Sequence, residues 1–133
     1  MKIAIGSDHG GFELKEQLKT YFERKGISYR DLGADSLEAV DYPDFAEKVG
    51  HAVINKEVDF GILICGTGIG ISIAANKIKG IRAALVYDET TGGLAKKHNN
   101  ANVIALGGRT TPFEKAIPII EAYMSETYET RHQ

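Results

Sequence analysis

With 133 residues the chain has room for one domain, residues 1–133, and no second, since compact domains commonly run to about 100–150 residues. Lys plus Arg number 16 against 18 Asp plus Glu, a formal charge of −2 with no dense basic stretch, so nucleic-acid binding is not expected. No run of roughly 18 apolar residues is available to cross a bilayer, and the start MKIAIGSDHGG lacks the basic-then-apolar pattern of an export signal, which makes the cytoplasm the expected location.

Short apolar runs alternate with segments of helical period, the pattern of parallel strands linked by crossover helices. Lys2–Gly6 reads as the first strand, followed by a helix with Leu14, Leu18, Tyr21 and Phe22 on one face and Gly26 as its stop. Ile27–Leu32 reads as a weaker second strand. After an Asp41-Tyr42-Pro43-Asp44 turn, Phe45, Val49, Ala52 and Val53 repeat the helical stripe, which ends near Asn55.

Phe60–Cys65 is almost wholly apolar, as a central parallel strand covered on both faces should be. It runs straight into Gly66-Thr67-Gly68-Ile69-Gly70, beyond which Ile71, Ala74, Ala75 and Ile78 suit a packed helix. Ala83–Tyr87 reads as strand four, Thr90–Lys97 as a helix and Ala101–Leu106 as strand five. For the last helix, Thr111-Pro112-Phe113-Glu114 predicts an N-cap Thr, a first-turn Pro and a capping-box Glu, with Pro118 either bending the helix or tolerated near its start. The expected fold is a three-layer α/β/α sandwich with a five-stranded parallel sheet, and this pattern alone favours the order 2-1-3-4-5. Ligands of such sheets bind beyond the carboxyl ends of the strands.

At those ends stand Ser7-Asp8-His9, Cys65 through Gly70, and Gly107-Gly108-Arg109. A lone cysteine makes no internal disulfide and no multi-Cys zinc cluster, so Cys65 is either a small buried filler or a reactive thiol. Its position favours the second reading: three glycines allow a tight turn at a helix start, where backbone N–H groups collect and thiolate is favoured over thiol. A Walker loop is excluded because Gly70 is followed by Ile71-Ser72, and a dinucleotide fingerprint fails at Ile71. A low-molecular-weight phosphatase fails too, since Ile71 stands where its arginine would be.

The remaining candidates each carry a plain structural alternative. Asp8 is either a sugar contact or an N-cap, and His9 either a ligand or a turn residue. His98, in His98-Asn99-Asn100, either acts on substrate or meets a helix carboxyl terminus. Arg109 and Arg131 either clamp phosphate or form surface ion pairs. No local Cys/His grouping has metal-ligand spacing, and no cofactor is implied.

Together, GSDHGG, DYPD, CGTGIGISIAANK, GIRAA, HNNANVIALGGR and RHQ resemble, in order and over nearly the whole chain, the type B ribose-5-phosphate isomerases of the ribose/galactose isomerase family. The resemblance implies a Rossmann-like domain with strand order 2-1-3-5-4 and a homodimer with shared sites, with a tetramer of two such dimers left as the alternative assembly. It implies interconversion of ribose 5-phosphate and ribulose 5-phosphate, a pentose phosphate pathway step, with Cys65 as the base and Thr67 and His98 assisting ring opening. Asp8, His9, Gly66, Gly68, Ile69, Gly70, Asn99, Arg109 and Arg131 would bind substrate, with His98 through Arg131 coming from the partner subunit. A further basic phosphate contact is implied beyond Arg131-His132-Gln133, a position this sequence does not reach. Galactose 6-phosphate or allose 6-phosphate is the alternative substrate within the family. A noncatalytic sugar-phosphate-binding or signalling module is the alternative from another class, although a phosphorylated receiver would need an acidic pair at Asp8 and an Asp where Cys65 stands.

Overall fold

The computed structural model describes residues 1–130. Five parallel strands form one sheet: β1 (Lys2–Ser7), β2 (Ser28–Asp31), β3 (Phe60–Cys65), β4 (Ala83–Leu85) and β5 (Val103–Gly107). Five helices connect or follow them: α1 (Phe12–Lys25), α2 (Tyr42–Ile54), α3 (Ile69–Asn76), α4 (Glu89–Lys97) and α5 (Phe113–Ser125). None is long and apolar enough to cross a membrane, among the described residues.

The order across the sheet is β2-β1-β3-β5-β4, which corrects the 2-1-3-4-5 arrangement favoured by pattern alone and agrees with the one implied by resemblance. The physical reason lies in the strands themselves. All five residues of β5 are buried, so it needs a neighbour on each side. In β4, by contrast, Ala83 and Ala84 are half-buried and Leu85 is exposed, which suits an edge. Its partner-poor position also explains why β4 ends at Leu85 and not at Tyr87.

Side chains alternate across the sheet and divide the core in two. Ile3, Ile5, Ile62, Ile64, Ile104 and Leu106 pack with α1, α4 and α5, including Leu18, Phe22, Ile119 and Tyr123. Ala4, Leu63, Cys65, Val103 and Ala105 pack with α2 and α3 through Ala46, Val49, Ile71 and Ala75. Each fully buried Ile or Leu contributes roughly 1.5–3 kcal/mol relative to exposure. Cys65 therefore faces the layer that contains α3, the helix beginning four residues after it.

Local signals explain most helix ends. Gly26 closes α1 in the left-handed conformation (φ 70°), its N–H donating to Glu23 and Phe22 carbonyls. The Asp41-Tyr42-Pro43-Asp44 segment is not a turn before α2 but its start, with Asp41 as N-cap and Pro43 in the first turn. The start of α5 differs from expectation: Pro112 is the N-cap, extended at ψ 157°, and Thr111 caps nothing. No side-chain cap forms there, and Pro118 is accommodated inside the helix. The capping box lies instead on α4, where Asp88 accepts from Thr91 N–H at 2.7 Å.

Candidate active site

The chain end of β1, β3 and β5 brings three loops together because the strands are adjacent and in register. Ser7 pairs with Ile64, and Cys65 with Gly107. The loops then bond to one another: Asp8 N–H donates to the Ile64 carbonyl at 3.2 Å, Gly108 N–H to the Cys65 carbonyl at 2.8 Å, and Arg109 N–H to the Gly66 carbonyl at 2.9 Å. They approach so closely that a Cβ on Gly108 would lie 2.4 Å from the Gly10 carbonyl oxygen. Glycine is what lets the backbones meet there.

Cys65 ends β3 with 5% of its surface exposed. The Gly68 N–H turns back onto its sulfur, with N···Sγ at 3.2 Å. Gly68 reaches this position at φ 81°, as N-cap of α3, pressed against the Leu106 carbonyl. Beyond it Thr67 Oγ1 accepts the Ile69 N–H at 3.2 Å. Gly70 and Ile71 sit in the first turn of α3, where N–H groups have no intrahelical acceptor. A thiol and a set of fixed backbone donors thus share one loop, a combination suited to proton transfer beside a developing oxyanion.

The other two loops flank it. Asp8 is buried and caps a short 3-10 turn over His9–Gly11, accepting the Gly10 N–H at 2.8 Å, so the N-cap reading is realised. The carboxylate retains further acceptor capacity. His9 is half-buried, and its Nδ1 accepts the Val40 N–H at 3.3 Å, which in the neutral ring leaves the hydrogen on Nε2. Arg109 is exposed, with its guanidinium beside Gly66 of its own chain, where a Cβ would lie 3.2 Å from an Arg109 Nη1. This corrects the expectation that it comes from the partner subunit: β5 lies beside β3 and delivers it to the Cys65 loop directly. Asp31, below the loop that carries Val40, is pulled in two directions. Burial pushes its carboxyl up, but hydrogen bonds from Lys15, Lys19 and the Gly33 N–H outweigh this and hold it below the usual carboxylate value.

His98 and Asn99 are not brought to this cluster within the chain. His98 is the C-cap of α4, whose crossover returns the chain to the opposite end of the sheet. Nearby, the Asn102 carbonyl accepts from Gly61 N–H at the start of β3, while Cys65 ends that strand. About 3.3 Å per strand residue puts the two ends roughly 15 Å apart. Arg131 lies outside the described residues.

One neighbour escaped the sequence reading. Tyr42, in the first turn of α2, lays its ring on the Cys65 loop: a Cβ on Gly70 would meet its Cζ at 2.8 Å and Oη at 3.1 Å. Periodicity assigned this segment to a turn, and only the packing of α2 against α3 reveals the contact. Ile69 and Ile73 stand one turn apart on α3, exposed by 51% and 56%, and Tyr87, beyond β4, is exposed by 63%.

Known proteins share this fold over nearly the whole chain. The family model described as Ribose/Galactose Isomerase matches residues 3–133. A protein of Escherichia coli (strain K12) named ribose-5-phosphate isomerase B is 47% identical over 133 residues, covering 99% of this chain and 89% of its own. Among solved structures, a ribose-5-phosphate isomerase B from Clostridium thermocellum superposes with a TM-score of 0.96 at 45% identity, over 99% of this chain and 90% of the other. One from Thermotoga maritima gives 0.94 at 51% identity, over 96% and 88%. With its sheet order, its glycine-bound cysteine loop and a match over nearly its full length, the chain belongs to the ribose/galactose isomerase family.

Proposed function

We propose that this enzyme interconverts ribose 5-phosphate and ribulose 5-phosphate through an enediolate, with Cys65 as the base. The observation that carries the proposal is the Cys65 sulfur held at 3.2 Å by the N–H of the loop that also opens α3. The pentose substrate is supported by the names of the relatives in Escherichia coli and Clostridium thermocellum.

In this reading the sulfur removes the proton from carbon 2 of the open-chain aldose, and the electron pair moves onto the carbonyl oxygen at carbon 1. The charge develops where the loop's backbone N–H groups already point, so they favour the transition state over the bound sugar. Return of the proton to carbon 1, with transfer of the carbon-2 hydroxyl proton to the oxygen on carbon 1, yields the ketose, and no net oxidation occurs. His98 donates a proton to the ring oxygen as the furanose opens, assisted by Thr67. Asp8, Gly66, Gly68, Ile69, Gly70 and Asn99 hold the sugar, while His9, Arg109 and Arg131 anchor the phosphate remote from the reacting carbons.

The site is proposed to be shared. His98 and Asn99 lie at the wrong end of the sheet to reach Cys65 of their own chain, so in a homodimer His98 of the partner subunit would complete it. Exposed Ile69 and Ile73, one turn apart on the helix that follows the cysteine loop, support an interface there, since large apolar side chains grouped in water mark a contact surface.

The test is to supply the purified protein with ribose 5-phosphate, galactose 6-phosphate and allose 6-phosphate in parallel and compare kcat/KM. Preference for the pentose supports the assignment. Preference for a six-carbon sugar moves it within the family, and binding of all three without turnover identifies a noncatalytic module.

A further inference from the structure

Lys15 is wholly buried (0% exposed) on α1, away from the proposed chemistry, and lysines are almost never buried unless paired. Its Nζ donates to Asp31 Oδ2 at 2.7 Å and Glu16 Oε2 at 3.1 Å. Lys19 donates to the same two oxygens at 2.7 and 2.9 Å. Such a network contributes little net stability over an apolar cluster of equal volume. It does fix directions.

Those directions lead to His9. The second Asp31 oxygen accepts the Gly33 N–H at 2.9 Å. Gly33 and Ala34 in turn bond the Ser7 backbone on both sides, at 2.7 Å each, immediately before Asp8. From Ala34 the chain runs out through exposed residues and comes back to Val40, whose N–H holds His9 Nδ1. His9 begins the turn that leads into α1, the helix carrying Lys15. The bonds close a ring: Lys15, Asp31, Gly33, the loop to Val40, His9, and α1 back to Lys15.

We propose that Lys15 and Asp31 are positioning residues for His9, clamping the root of loop 33–41 so that the Val40 N–H holds the imidazole with Nε2 turned to the substrate phosphate. The kinetic consequence rests on the isomerase reading, whereas the clamp on the loop does not.

The test is a cycle of Lys15→Met and His9→Asn in the full-length protein. Lys15→Met alone should raise KM for ribose 5-phosphate by about tenfold with kcat within about twofold, as for a binding group slightly misplaced. In the His9→Asn background it should raise KM no further, because its effect passes through that ring. Amide exchange should show Val40 and Gly33 losing protection while Ile104 in β5 keeps its own, which a general loss of stability would not produce. If Lys15→Met fails to fold, Val40→Pro removes the donor from the loop without touching the buried pair and should raise KM alike. An unchanged KM in a folded variant, or a rise that persists in full without His9, overturns the proposal. If the wild type converts no sugar phosphate, the isomerase reading fails, and the exchange of Val40 still decides the clamp.

Discussion

The Gly68 backbone N–H donates to the Cys65 sulfur across 3.2 Å, and it does so from a left-handed conformation that places Gly68 against the Leu106 carbonyl. Both features fail together in Gly68→Ala. A side chain at φ 81° costs about 1–2 kcal/mol, and the new Cβ would sit 2.9 Å from the Leu106 carbonyl carbon. The loop must shift, moving the donor off the sulfur. Kinetics on the folded variant should show kcat down by about 10²-fold, the scale of misplacing a reacting group by about an ångström.

Arg109 offers the opposite behaviour. Its backbone N–H holds the loop by donating to Gly66, and that bond survives truncation of the side chain. Arg109→Ala should therefore melt within a degree or two of the wild type while KM for the phosphorylated sugar rises about tenfold or more. Arg109→Lys should recover only part of the affinity, since an ammonium lacks the planar fork. Steady-state kinetics with a thermal melt separate the two effects.

A charge placed on the exposed apolar face of α3 tests the shared site. Ile73→Asp lies on the surface of α3, so it should leave the single chain folded while lowering the molar mass seen by light scattering to that of one chain. Activity should fall with the dimer fraction, because His98 cannot reach Cys65 within one chain. Full activity in a monomer would contradict the shared site.

The Asp31 network gives a sign for pH. The folded-state carboxyl of Asp31 is held below its usual value by Lys15 and Lys19 against the effect of burial. Its contribution to stability is therefore complete above the unfolded value of about 3.9 and is lost as the pH falls from there through the lower folded value. Lys19, raised by its hydrogen bond to Asp31, contributes wherever that carboxylate is charged and loses the contribution on the alkaline side only in strong base. Chemical denaturation between neutrality and pH 3 should show wild-type stability falling toward the acid end, with a smaller fall in Asp31→Asn. That variant should also be less stable at neutrality, by about 3 kcal/mol, because it weakens the pairing of a buried ammonium.

Much of this architecture is legible in residue order, and the exceptions have physical causes. Phe60–Cys65 and the glycines after it announce a buried strand and a tight loop, because continuous apolarity and three glycines admit few other structures. Gly26 and the stripes of α1 and α2 are equally plain. Strand order is not written locally: β4 and β5 look alike as apolar runs, and only the exposure of Leu85 against the complete burial of β5 separates edge from interior. The site divides in the same way. Asp8, His9, Cys65, Gly66, Thr67, Gly68, Ile69, Gly70 and Arg109 gather because their strands are neighbours. The sequence neighbours His98 and Asn99 travel with α4 to the other end of the sheet, a separation that no motif spacing encodes. Tyr42 and the Lys15–Asp31 pair were missed because each acts through contacts distant in sequence, Tyr42 on Gly70 and Lys15 on Asp31.

The most direct measurement is the rate of ribulose 5-phosphate formation from ribose 5-phosphate by the wild type and by Cys65→Ala, with the fold of the variant checked by circular dichroism. Loss of about 10³-fold or more in kcat, with KM little changed, is the result expected when the group that moves the proton is removed. Conversion by folded Cys65→Ala at the wild-type rate would contradict the central claim that this sulfur is the base.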